Sequence, residues 1–118
     1  NIDGKEYFFG ADLTGIGNLR GFFAKVPKDA VGECLIQIQK EDERFELSKP
    51  EGINIHWLIG KDLQSVVEQF LDGFDFSQYN SMTTYFVGHS MSLSKLKERM
   101  GEASELKKEG MILRGYWK

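Results

Sequence analysis

The segment Glu6-Tyr7-Phe8-Phe9-Gly10-Ala11-Asp12 is apolar through its middle and then turns abruptly small and polar. A strand with one wet face alternates apolar and polar side chains. A run that does not alternate is buried on both faces, as in a parallel sheet covered by helices. The residues that follow, Leu13 to Asn18, give way to Leu19, Phe22, Phe23 and Val26. Their i, i+3, i+4, i+7 spacing is one face of a helix. Thr14 is placed to cap that helix, and Pro27 ends it because proline cannot continue the hydrogen-bond ladder.

The same alternation of strand and helix signals continues along the chain. Val31 to Gln39 reads as a second strand, with Leu35 and Gln37 on one face and Ile36 and Ile38 on the other. Lys40 to Gly52 is charged and holds Pro50. It reads as a loop with a short extended piece at Arg44-Phe45-Glu46-Leu47. Ile53 to Ile59 is a third strand, broken by Gly60. Asp62 is placed to cap a second helix whose apolar face carries Leu63, Val66, Val67, Phe70 and Leu71. After a polar and aromatic connection from Phe74 to Ser81, Thr83 to Gly88 reads as a fourth strand. Ser90 or Ser92 caps a third helix carrying Leu93, Leu96 and Met100, ended by Gly101. Ser104 to Glu109 reads as a further helical turn, and Met111 to Trp117 as a fifth strand.

The order is thus β-α-β-β-α-β-α-β, with one helix missing or degenerate between the second and third strands. The expected fold class is α/β: a three-layer, doubly wound, mainly parallel five-stranded sheet. In such sheets a ligand lies outside the carboxyl ends of the strands, where the strand order reverses. That directs attention to Ala11–Gly17, to Gly88–Ser90 and to the end of the fifth strand.

At 118 residues, 41% of them hydrophobic, the chain suffices for one packed domain. Its 15 basic and 18 acidic side chains leave a net charge of −3. That balance gives no general attraction to nucleic acid or to an anionic membrane, and no apolar run has membrane-helix length. Cys34 is the single cysteine and sits in the run Cys34-Leu35-Ile36. It reads as a buried thiol, compatible with a reducing compartment. The first residue is Asn1, and the last two, Trp117-Lys118, directly follow an apolar run, so both ends read as cuts within a longer protein.

Few residues offer chemistry of their own. The glycines at 10, 15 and 17 surround a helix start, where backbone amides and the helix dipole favour a phosphate. Their spacing matches neither G-x-G-x-x-G nor the phosphate loop ending in G-K-[ST], and Asp12 adds a negative charge there. His56, inside a strand, reads as a hydrogen-bonded structural residue, whereas His89 stands at a strand's carboxyl end. Two distant histidines and one buried cysteine do not make a metal site. Lys95, Lys97, Glu98 and Arg99 read as the wet face of a helix. A receiver domain needs an aspartate ending its third strand, where this chain has Leu58-Ile59-Gly60.

Taken in order, several of these stretches resemble the C-terminal domain of siderophore-interacting proteins, relatives of the ferredoxin reductases. Ala11-Asp12-Leu13-Thr14-Gly15 is similar to the family's Gly-Asp-Glu-Thr-Ala turn. Ile55-His56-Trp57-Leu58 is similar to its Val-His-Trp-Leu strand, and Gly88-His89-Ser90-Met91 to its Gly-Glu-(Ala/Ser)-Ser turn. Gly115-Tyr116-Trp117-Lys118 matches its final strand intact. Ala11, Leu13, Gly17 and His89 depart from the pattern, all of them in loops.

The resemblance implies a single NAD(P)H-binding-like domain over residues 1–118, of the ferredoxin-reductase type. It would be the C-terminal half of a cytoplasmic enzyme whose N-terminal FAD-binding barrel is absent from this chain. Hydride would pass from NADPH or NADH to FAD, and single electrons from the flavin to a ferric siderophore. This half alone would not be a complete enzyme. The resemblance places Asp12, Thr14 and Gly15, with the Ile16 amide, at the pyrophosphate and ribose, and Gly88, His89 and Ser90 at the nicotinamide. It places Lys40 or Lys61 at a 2′-phosphate, and Trp117 and Lys118 at the siderophore beside the flavin. The expected partners are the FAD domain of the same parent chain and the ferric siderophore, with neither nucleic acid nor membrane. A non-catalytic interaction module that keeps the fold without nucleotide binding is the alternative.

Overall fold

The run expected to be buried on both faces is β1 (Glu6–Ala11), the middle strand of five. The computed structural model that establishes this describes residues 6–75, 83–87 and 111–113. The other strands are β2 (Val31–Ile38), β3 (Gly52–Ile59), β4 (Thr83–Val87) and β5 (Met111–Leu113). They lie in the order β3-β2-β1-β4-β5, and every neighbouring pair is parallel.

Parallel neighbours need crossovers, and the helices supply two of them. Helix α1 (Ile16–Lys25) joins β1 to β2, and α2 (Leu63–Gly73) carries the chain from β3 back past β1 to β4. Side chains alternate between the faces of a strand, so successive residues of β1 meet different helices. Tyr7, Phe9 and Ala11 join Cys34, Ile36 and Ile38 in a core with Leu19 and Phe23 of α1. Phe8 points the other way, stacking on Phe70 of α2 and meeting Phe86 edge-on. Phe8, Phe9 and Phe86 are fully buried. Each phenyl ring so buried contributes about 1.5–3 kcal/mol. The three layers are therefore α1, sheet and α2, the doubly wound arrangement expected.

The helix ends follow their sequence signals, with one correction. The helix α1 stops at Lys25, and Val26, the residue before Pro27, is extended at φ −80° and ψ 158°. Asp62 caps α2 by accepting from the Ser65 amide at 2.8 Å. At the start of α1, however, Thr14 is not the cap. Asp12 accepts from the Thr14 amide at 3.0 Å and thereby caps a 3₁₀ turn, Leu13–Gly15, that leads into the helix.

Between β2 and β3 the missing helix is indeed missing. Only the 3₁₀ turn Glu41–Glu43 interrupts the connection. The expected extended piece at Arg44–Leu47 is not a strand. Side chains rather than a backbone ladder hold it: Phe45 meets Trp57 edge-on with centroids 5.1 Å apart, and Leu47 packs on the core. Strand β2 ends at Ile38, one residue before the expected Gln39. The third helix, the turn at Ser104–Glu109 and the remainder of the fifth strand lie outside the described residues.

Candidate functional site

The strand order reverses at β1, whose neighbours are β2 on one side and β4 on the other. Ala11, the last residue of β1, is in register with Val87, the last of β4. The loop after Ala11 is drawn tightly over that edge. A Cβ built on Gly15 would lie 2.5 Å from the Val87 carbonyl oxygen and 2.9 Å from its Cγ1. Only glycine permits this approach. Gly15 is also the N-cap of α1 and makes no side-chain cap bond, so the first turn of α1 opens at the carboxyl ends of the strands.

Asp12 is buried, 8% exposed. Its Oδ1 accepts from both the amide and the hydroxyl of Thr14. The acid that looked out of place near a phosphate is thus a local cap. The structure brings three of the expected site residues, Asp12, Thr14 and Gly15, into this one turn.

Beside the turn lies a cleft of about 300 Å³ formed by the ends of β1, β2 and β3. Asp12, Leu13 and Thr14 line it from the turn after β1, Gln39 and Glu43 from the connection after β2, and Lys61 and Asp62 from the connection after β3. Two glutamines fasten its far wall. Gln37 donates to the Gly60 carbonyl at 2.6 Å, and Gln39 donates to the Lys61 carbonyl at 3.2 Å. Glu43 is fixed in another way. Its Oε1 accepts from the backbone amides of Gln39, at 2.6 Å, and Lys40, at 3.3 Å. Hydrogen bonds from Ser65 hold the Asp62 carboxyl below the usual carboxylate range. Of the two lysines expected at a 2′-phosphate, Lys61 lines the cleft and Lys40 does not.

Glu43 also lines this cleft and was not among the expected site residues. It lay within a charged stretch read simply as a loop. The available signal was an acid in the connection after the second strand, on the side where a doubly wound sheet takes its ligand.

Two further chemistry-bearing side chains among the described residues, His56 and Cys34, are structural. His56 Nε2 lies 2.6 Å from Glu33 Oε1, and Asn54 donates to Glu33 Oε2 at 3.3 Å. The His56 ring also packs against Phe70 and Phe74. This cluster sits on the sheet face covered by α2, as expected of a hydrogen-bonded strand histidine. Burial pushes the Cys34 thiol far above its ordinary range, so it is a poor nucleophile. Among the described residues no His/Cys/Asp/Glu group could hold a metal, and no helix is long and apolar enough to cross a membrane. A larger hollow, about 680 Å³, lies between α1 and Leu47–Glu51. Gly88, His89, Ser90, Trp117 and Lys118 lie outside the described residues.

The profile of the siderophore-interacting protein family matches residues 4–118. Two solved structures share the fold. The siderophore-interacting protein SipS from Aeromonas hydrophila superposes with a TM-score of 0.75 at 20% identity, over 97% of this chain and 51% of that one. A siderophore utilization protein from T. fusca gives 0.77 at 20% identity, over 100% of this chain and 46% of that one. The chain therefore spans about half the length of these structures.

Proposed function

The chain belongs to the siderophore-interacting protein family, and from that premise we propose that it is the nicotinamide-nucleotide domain of a flavin-dependent ferric-siderophore reductase. The observation that carries this reading is the turn Asp12–Gly15 at the point where the strand order reverses, with the cleft of about 300 Å³ beside it. Doubly wound sheets take dinucleotides at this position.

In this reading the pyrophosphate lies at the first turn of α1, where the helix dipole and the amides around Gly15 and Ile16 favour an anion. Asp12 accepts from the Thr14 amide and hydroxyl and so holds the turn in shape. The adenosine ribose enters the cleft between β1 and β2. The nicotinamide extends across the end of β4 towards Gly88, His89 and Ser90. A preceding domain of the same protein holds FAD, and the flavin passes electrons singly to ferric iron. Ferric siderophore is the substrate, met near Trp117 and Lys118, where a cation suits an anionic complex. The domain's own work is placement, since the cofactors carry the redox chemistry. The buried, unreactive Cys34 suits the reducing cytoplasm, the compartment we assign to it.

Titration of the isotopically labelled chain with NADH, followed by amide NMR, tests this placement. Shifts concentrated at Leu13–Gly17, Glu43 and Val87 are expected. Shifts confined to the hollow beside Leu47–Glu51, or none at millimolar NADH, would remove the nucleotide from this site.

A further inference from the structure

Strand β3 closes one edge of the sheet, and among the described residues no strand pairs with its outer side. An open edge presents unpaired amides and carbonyls, and proteins usually guard it with a charged side chain, a proline or a bulge. β3 carries none of these. Gly52 to Ile59 holds no proline and no Lys, Arg, Asp or Glu. Its register with β2 runs unbroken over all 8 residues.

One hydrogen bond shows which backbone groups are free. The Gly60 amide donates to the Ile38 carbonyl of β2. Backbone groups alternate in direction along a strand, so the even-numbered residues of β3 face β2, while Ile55, Trp57 and Ile59 face outward. This outer edge is open at its carboxyl half. Trp57, Leu58 and Ile59 line a hollow of about 330 Å³ there, together with Val66, Gln69 and Phe70 of α2. Ile59 is 51% exposed.

The sequence of this edge is complementary to itself. In Glu51-Gly52-Ile53-Asn54-Ile55-His56-Trp57-Leu58-Ile59-Gly60-Lys61, Glu51 mirrors Lys61 about His56, Gly52 mirrors Gly60, and Ile53 mirrors Ile59. We propose that β3 pairs antiparallel with β3 of a second copy about a twofold axis at His56, joining the two sheets into one. In this register Ile55 lies opposite Trp57 of the second copy, and these outward-facing residues exchange backbone hydrogen bonds. The exposed Ile59 lies opposite Ile53. At each end Glu51 of one copy meets Lys61 of the other, and both side chains are exposed and charged. The contact is isologous and consumes this edge in both copies, so it closes at a dimer.

Sedimentation velocity of the full-length protein, from low-micromolar to near-millimolar concentration, tests the pairing. A reversible dimer is expected. Ile59→Lys puts a charge on the open edge, outside the core, and should leave a monomer. Glu51→Lys and Lys61→Glu each set like charges opposite one another at both ends of the contact. Each should weaken dimerisation about tenfold or more. Combined in one chain they restore opposite charges, and dimerisation should return to within about threefold of the wild type. An unchanged circular dichroism spectrum shows that each variant is folded. A wild-type protein that stays monomeric throughout would overturn the pairing. So would a dimer indifferent to Ile59→Lys, or a double variant that dimerises no better than the single ones.

Discussion

Gly15 and Val87 touch across the point where the strand order reverses, so closely that a Cβ on Gly15 would stand 2.5 Å from the Val87 carbonyl oxygen. The obstacle is backbone, which cannot rotate away as a side chain would. Gly15→Ala should therefore cost about 1–3 kcal/mol, the usual range for overpacking. Urea unfolding of both proteins measures it. The turn must also lift from the sheet edge, so nucleotide affinity should fall in the same variant. A variant with wild-type stability would show that the approach is looser than described.

Asp62 starts α2 through the Ser65 amide. Replacing it with alanine should cost about 1 kcal/mol, typical of a lost N-cap. The pH dependence has a definite sign. Hydrogen bonds from Ser65 lower the folded carboxyl's pKa, so its contribution is present above the ordinary unfolded value, about 3.9, and is lost as pH falls through the folded one. Unfolding midpoints for wild type and Asp62→Asn should converge as pH drops below that window. Parallel curves throughout would contradict the cap's charge dependence.

The Glu33 side chain is 3% exposed and lies 2.6 Å from His56. Removing the imidazole takes a strong partner from a buried carboxyl group. His56→Ala should lower stability by about 2 kcal/mol, in line with hydrogen bonds to charged groups. The effect should appear in denaturant unfolding and not in the affinity for NADH, because the pair lies on the α2 face of the sheet. A change in that affinity would draw the pair into the site.

Cys34 is fully buried, and burial raises its thiol pKa well above the ordinary range. A thiol reagent should label it only as fast as the protein opens, with rapid labelling in denaturant. Fast labelling of the native chain would mean that the α1 face of the core is accessible.

Most of the fold could be read from local signals. The unbroken apolar run at Tyr7–Ala11, the helical spacing of Leu19, Phe22, Phe23 and Val26, Pro27 and Asp62 each act within a few residues of themselves. So does the charged stretch that replaces a helix between β2 and β3. What could not be read depends on contacts between distant segments. Asp12 and Thr14 are both competent caps, and only the geometry of the turn shows that Asp12 holds Thr14. Arg44–Leu47 carries an extended pattern, but Phe45 and Leu47 use it to pack on Trp57 and the core rather than to pair. Gly15 stood out only as one of three glycines around a helix start, and its necessity comes from Val87, far along the chain. Glu43 looked like one acid among several, since nothing local shows that the amides of Gln39 and Lys40 turn to meet it.

The most direct test of the central claim is an anaerobic absorbance titration of the full-length protein. The expected result is a yellow, flavin-containing protein whose visible band bleaches when NADH is added and returns when a ferric siderophore follows. A flavoprotein that neither NADH nor NADPH bleaches would contradict the claim that this domain delivers a nicotinamide to the flavin.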